Sequence, residues 1–253
     1  MKTHKSHKGF TLVELVIVIV ISGILAVGSV QFVGQATQGY SDAADRQQLA
    51  TIGWIASEKI SRELRNALPN SIRVNASNTC IEFIPVTGGS HYKTLPNGTT
   101  PRTITAIESG FSAVPENTRI AVYPTSVNAV YGQANPGPIS TSKVSALTNS
   151  GGIDTITLAG DFEFLAASPE RRFYFTESPI TYCIESTRLN RYSDYGFSAA
   201  KGTAQIIVDK LQRGTFSIAP ASLTRNAVVA MHFEFDGGAI HIVDQEVQVR
   251  NVP

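Results

Sequence analysis

Lys8-Gly9-Phe10-Thr11-Leu12-Val13-Glu14-Leu15 opens the stretch that decides the fold. An apolar run to Val30 follows, broken only by Ser22, Gly23, Gly28 and Ser29, and Lys2, Lys5 and Lys8 lead into it. A basic leader before an apolar stretch ordinarily reads as a secretory signal. Two details count against that reading. The small residue that would mark a cut, Gly9, lies before the apolar run rather than after it. A carboxylate, Glu14, sits at the edge of the membrane-length segment. Cutting after Gly9 would leave the hydrophobic helix on the product, with Phe10 as its first residue. A plain anchor or an uncleaved signal leaves Glu14 without a reason, because an isolated carboxylate in a bilayer costs on the order of 2–4 kcal/mol and is rarely kept without a role.

A cut between Gly9 and Phe10 would create a positive α-amino group about one helical turn from Glu14. In a helical filament the next subunit's amino group would lie closer still. The cut would therefore remove the leader and supply Glu14 with an ion-pair partner in a low-dielectric bundle, where pairing is strong. The rival account has Glu14 snorkelling to the headgroups, which is compatible with pairing later in a filament.

The segment from Lys8 to Leu15 resembles the processing motif of type IV prepilins and of the related pseudopilins of type II secretion. Glycine, a hydrophobic next residue and a glutamate four further on stand together just before a membrane-length run. The resemblance implies cleavage between Gly9 and Phe10 by a prepilin peptidase, N-methylation of Phe10, and an assembly role for Glu14. It implies as partners the prepilin peptidase, other major and minor pilins, the inner-membrane assembly platform, and membrane lipid before assembly. The implied location is the bacterial inner membrane, single-pass with the head in the periplasm, and then the pilus at the cell surface.

Composition suits an exported chain with one modest head. Of 253 residues, 21 are Lys or Arg and 20 are Asp or Glu, and the three leader lysines account for the positive excess. No basic stripe stands outside the leader, so nucleic acid is not expected as a partner. About 185 residues follow the long helix, enough to bury a core without metals. The cysteines Cys80 and Cys183 each open a strand-like run, and a periplasmic destination favours a disulfide between them. Closing a loop of about a hundred residues would stabilise by roughly 2–4 kcal/mol. Two buried free thiols are the alternative.

The fold class expected is α+β: a long N-terminal helix packed on an antiparallel β-sheet head, pilin-like. The expected boundaries are a leader at 1–9, a membrane and assembly half of the helix at 10–33, an amphipathic half at 34–68, and a periplasmic β-rich head at 69–253. No proline interrupts Phe10 to Leu68, and such a helix would run roughly 90 Å. Leu49, Ile52, Ala56, Ile60, Leu64 and Ala67 recur at spacings of three and four and form one stripe. Arg46, Glu58, Arg62 and Arg65 lie mostly off it, and Trp54, also off it, is expected at the edge of the packing. Many major pilins carry a helix-bending proline in the membrane half. None stands here, and a softer segment at Gly34–Gly39 could replace that kink.

Beyond Pro69-Asn70 the pattern turns to β. Strands are expected at Ser71–Val74, Cys80–Val86, Arg102–Ile107, Arg119–Tyr123, Ile153–Leu158, Arg172–Glu177, Ile180–Ser186 and Ala204–Leu211. Gly88-Gly89 reads as a loop. Pro124 to Gly152, rich in Ser, Asn, Gly and Pro, reads as a long surface loop, and Leu189–Phe197 as a loop carrying aromatic rings. Ala227–Phe235 and Ala239–Val243 flank Asp236-Gly237 and read as a hairpin. With a two-residue loop His232 would oppose His241. Cross-strand packing of the two imidazoles is the stronger reading of that pair, and no metal or cofactor is expected.

The segment Glu58–Val74, the run Cys80-Ile81-Glu82-Phe83 and the ending Gln245–Pro253 are similar to the MshO family of MSHA pilus biogenesis proteins. That resemblance implies a minor pilin of a type IV, MSHA-type pilus, placed in an initiation or tip complex. The alternatives are a J-type pseudopilin of type II secretion, and a tip adhesin whose Tyr192–Phe197 loop binds surface glycans. An enzyme is not expected. His91, His232 and His241 are the imidazoles outside the leader, Asp161 and Glu163 are ordinary neighbours on a polar edge, and nucleophile-elbow, zinc-helix and phosphate-loop motifs do not occur.

Overall fold

Leu12–Arg65, 54 consecutive residues, form one α-helix, α1. The computed structural model describes residues 9–197, 201–219, 226–236 and 240–249. The chain divides into two units, Met1–Gln48 and Leu49–Pro253. In the first unit every described side chain is exposed. The hydroxyls of Ser29 and Thr37 donate to the carbonyls of Leu25 and Val33, at 2.7 and 2.8 Å, which satisfies them within an apolar helix. The helix runs unbroken through Gly34 and Gly39.

In the second unit α1 buries one stripe. Leu49, Ala56, Ile60, Leu64 and, just past the helix, Ala67 are buried, and Ile52 packs partly against them. The helix ends at Arg65, a turn earlier than the proline alone would require. The amides of Asn66 and Ala67 bond back to Glu63 and Leu64, and the amide of Leu68 is captured by the Ile84 carbonyl at 2.8 Å. Trp54, off the stripe, is 60 % exposed.

Fourteen strands and a short helix follow among the described residues. They are β1 (Arg73–Val74), β2 (Cys80–Phe83), β3 (Val86–Thr94), β4 (Thr103–Ile107), β5 (Arg119–Ala121), α2 (Val127–Tyr131), β6 (Val144–Ser150), β7 (Ile153–Leu158), β8 (Arg172–Thr176), β9 (Ile180–Glu185), β10 (Arg188–Tyr192), β11 (Gln205–Val208), β12 (Leu211–Ala219), β13 (Ala227–Asp236) and β14 (Ile240–Val249). They form sheets in the orders β1-β2-β9-β10-β11, β12-β13-β14 and β5-β8-β3-β4-β7-β6. Every strand pairing is antiparallel. The architecture is α+β, a long N-terminal helix followed by antiparallel sheets.

The helix stripe is covered by two of the sheets. Phe83 and Tyr182 come from the five-stranded sheet, and Phe216, Phe233 and Phe235 from the three-stranded one. Period-two alternation supplies them: on β13 Val229, Met231, Phe233 and Phe235 are buried, while the residues between them are not. The six-stranded sheet has its own core of Ile104, Ile156, Phe173 and Phe175, closed by Phe162 and Phe164. A smaller cluster of Leu68, Ile84, Ala121, Val130 and Ile139 joins the helix exit to that sheet.

Four expectations are corrected. Pro124–Gly152 is not a surface loop. Val130 on α2 and Ile139 are buried, and Val144–Ser150 is strand β6. Leu189–Phe197 begins as strand β10, paired along its length with β9. Gly88 and Gly89 lie inside β3, where a Cβ on Gly88 would stand 2.4 Å from the Phe111 ring and one on Gly89 2.4 Å from the Phe173 carbonyl oxygen. These glycines allow close approach rather than a turn. Leu211, expected to end the strand that starts at Ala204, instead opens the nine-residue β12, and the preceding strand stops at Val208.

Gly53 shows how tightly α1 meets the three-stranded sheet. A Cβ there would lie 2.7 Å from the Phe235 ring and 2.8 Å from the Val243 methyl. Alanine is worth about 1 kcal/mol over glycine in a helix interior, but overpacking a filled core costs about 1–3 kcal/mol. Phe235 is fully buried and cannot swing aside. Gly53→Ala is therefore expected to lower stability, despite its better helix propensity, by about 1 kcal/mol or more, and urea titration of the full chain checks the sign.

Candidate functional site at the chain start

Gly9, Phe10 and Thr11 precede the helix in non-helical backbone and are exposed. The Gly9–Phe10 bond thus lies outside the helix. What stops the helix there is a reciprocal pair. The Glu14 amide donates to Thr11 Oγ1 at 3.2 Å, and the Thr11 amide donates to Glu14 Oε2 at 3.2 Å. The Thr11 hydroxyl also donates to Glu14 Oε2, at 3.3 Å. This is a capping box, in which two otherwise unpaired helix-end amides are satisfied by each other's side chains. A carboxylate in the first turn also faces the positive end of the helix macrodipole.

Thr11 is the residue sequence reasoning passed over. Thr-x-x-Glu before an apolar run is itself the signal for this cap, but the membrane and ion-pair readings of Glu14 give Thr11 no part. The structure gives the carboxylate the Thr11 amide and hydroxyl as local partners in the uncut chain, beside the backbone of Phe10 where a cut would place a new amine.

Other sequence candidates fall elsewhere, in the second unit. Cys80 and Cys183 stand directly opposite each other on β2 and β9 and are joined by a disulfide. The ammonium of Lys201 lies 2.8 Å from Cys183 Sγ and 3.7 Å from Cys80 Sγ, a contact with no sequence signal. The rings of Tyr192–Phe197 do not gather into an open shelf. The Tyr192 hydroxyl donates to Glu185 at 2.7 Å. Tyr195 is buried, its hydroxyl shared between Thr181 and Glu82, and burial pushes its pKa well up. Phe197 packs on Tyr131 beneath the Arg119 guanidinium.

His232 does not face His241. Asp236 pairs with Ile240, which leaves 237–239 as the connection, and His232 opposes Asp244 while His241 opposes Phe235. The glycines of the expected turn lie outside the described residues. His232 Nδ1 lies 2.6 Å from Asp244 Oδ1, and Nε2 lies 3.0 Å from Glu234 Oε1. The carboxylates sit on opposite ring nitrogens and do not converge on one ion. Among the described residues no group of three or more His, Cys, Asp and Glu side chains is placed to hold a metal.

The hydrogen bonds to Glu234 and Asp244 hold the His232 pKa above the usual imidazole value. A raised folded-state pKa contributes stability that is complete below the unfolded value of about 6.5 and is lost as pH rises through the folded one. His232→Gln is accordingly expected to lower the unfolding midpoint more at pH 5.5 than at pH 8.5. An equal loss at both would mean that the imidazole acts only by packing.

The chain has one described helix of the length and composition needed to cross a membrane, α1. No curated protein and no solved structure matches the chain. Residues 4–30 match the prokaryotic N-terminal methylation motif, and this match, lying over Gly9, Phe10, Thr11 and Glu14, supports a type IV pilin-like or pseudopilin protein, a structural rather than a catalytic type, processed by prepilin peptidase and assembled with other pilins.

Proposed function

We propose that this chain is a minor pilin of a type IV, MSHA-type pilus, akin to the MshO family, acting in an initiation or tip complex. In this reading residues 1–9 are the leader, and prepilin peptidase cuts between Gly9 and Phe10. Phe10 is then N-methylated, residues 10–33 hold the chain in the inner membrane, and the head lies in the periplasm. The observation that carries it is the methylation motif set on an exposed, non-helical Gly9–Phe10 bond directly before an apolar helix. The likeness of Glu58–Val74, Cys80–Phe83 and Gln245–Pro253 to the MshO family supports the finer assignment. Head size supports a place at an end: identical subunits along a shaft pack at a tight rise, and about 185 residues beyond the helix would crowd them. Neither metal nor other cofactor enters this role.

The motif is common to pilins and pseudopilins, so a J-type pseudopilin of type II secretion is the second reading. The physics of the helix is the same in both. The glycan-binding adhesin loses its proposed shelf, because the Tyr192–Phe197 rings are engaged within the head.

The test is the mass of the protein in sheared filaments, together with immunogold labelling. A chain beginning at Phe10 and heavier by one methyl group, labelled at filament ends, is the expected result. An uncut chain in filaments would refute processing, and dense labelling along the shaft would refute the tip or initiation role.

A further inference from the structure

We propose that the free edge of β14 is a docking site for an extended segment of a different subunit, one that carries lysine or arginine at alternate positions. Exposed sheet edges are ordinarily blunted, because their unpaired amides and carbonyls template further pairing. The other sheet edges of this head, among the described residues, are short or irregular. β1 has two residues, β5 three and β11 four. The register breaks along β6 between Val144 and Ala146, and along β12 between Leu211 and Arg213. β14 is different. Ten consecutive residues pair with β13 without a register shift, and its sequence has neither proline, glycine nor lysine. Among the described residues its second edge has no strand partner.

The charge on that strand selects the occupant. Ile242, Asp244, Glu246 and Gln248 form its exposed face, and Glu234 stands on the same face of β13 across from Ile242. A strand added to the edge would place its side chains about 4.5–5.5 Å from these, close enough for opposite charges to stabilise and like charges to repel. A second copy is disfavoured. Two-fold pairing of β14 with itself about Gln245 sets Asp244 against Glu246 of the other copy, twice over. A strand with basic residues at alternate positions meets Glu246 and also Asp244, which His232 of β13 already contacts at 2.6 Å, while its backbone completes the ladder.

That the partner is another filament subunit rests on the function proposed above; the pairing itself does not. The probes are two nine-residue peptides, one alternating valine with lysine and one alternating valine with glutamate. Each is added to the full-length protein in detergent micelles, and amide hydrogen exchange is followed over residues 240–249. The lysine peptide is expected to slow exchange there and the glutamate peptide to leave it unchanged. Glu246→Lys alters an exposed side chain on the solvent face and is expected to weaken the lysine peptide about threefold to tenfold. No protection by either peptide, or equal protection by both, would overturn the proposal. So would slowed exchange that grows with protein concentration alone, since that signals self-pairing. The N-terminal mass, read on the same sample, reports processing separately.

Discussion

Glu14→Ala is expected to give a protein that is still cut after Gly9 and still resides in the membrane, yet is lost from filaments by about two to three orders of magnitude. The cut should survive because the scissile bond lies in exposed, non-helical backbone on the far side of the cap. Removing the carboxylate takes away the local partner of the Thr11 amide, which costs the helix end about 1 kcal/mol. Loss of assembly has a different origin. In the function proposed above, processing would leave a positive amine at Phe10 to enter a low-dielectric bundle, and breaking a buried ion pair by removing one partner costs about 3–5 kcal/mol. Thr11→Val separates the two effects. It removes the hydroxyl that accepts from the Glu14 amide but keeps the carboxylate, so a modest loss is expected there. Quantitative blotting of sheared filaments against membranes, with the N-terminal mass measured in both, reads the outcome. If Thr11→Val and Glu14→Ala reduce assembly equally, capping rather than charge pairing is the role of Glu14.

The parts of this fold legible in the sequence were those fixed by local periodicity. The absence of proline and the three-and-four spacing from Leu49 to Ala67 predict the helix and its buried stripe, and both are present. Alternation marks β7, β8 and β9 to within a residue of their observed limits. What failed depended on distant chain. Pro124–Gly152 looks like a loop by composition, but Val130 and Ile139 are buried because Leu68 and Ile84 offer them a surface. Gly88-Gly89 looks like a turn, but the Phe111 ring and the Phe173 carbonyl need the space a side chain would fill. The β13–β14 strands were legible and their register was not: the pairing is shifted by three residues from that of a two-residue Asp236-Gly237 loop, which moves His232 from His241 to Asp244. At the chain start the cap was fully written in Thr11-Leu12-Val13-Glu14. It is hidden because the membrane and the amine that a cut would create offer competing explanations for the same carboxylate.

Replacing Cys80 and Cys183 together by alanine is expected to lower the stability of the head by about 2–5 kcal/mol, a large share of the roughly 5–15 kcal/mol typical of a folded domain. The bridge spans 103 residues of sequence, so its loss frees a long loop in the unfolded chain. The chain-entropy account assigns nearly 5 kcal/mol, roughly, to a loop of that size. The folded state should change little, because β2 and β9 also pair at Ile81–Tyr182, Glu82–Thr181 and Phe83–Ile180, and Ile81, Phe83 and Tyr182 are fully buried. Denaturant titration distinguishes an effect on the unfolded state from one on packing. A chain released from its crosslink expands further and exposes more surface on unfolding, so the slope of free energy against urea should rise as the midpoint falls. If the midpoint falls at constant slope, the loss lies in the folded sheet, through the cavity left around Cys183, and the crosslink contributes chiefly as a buried side chain.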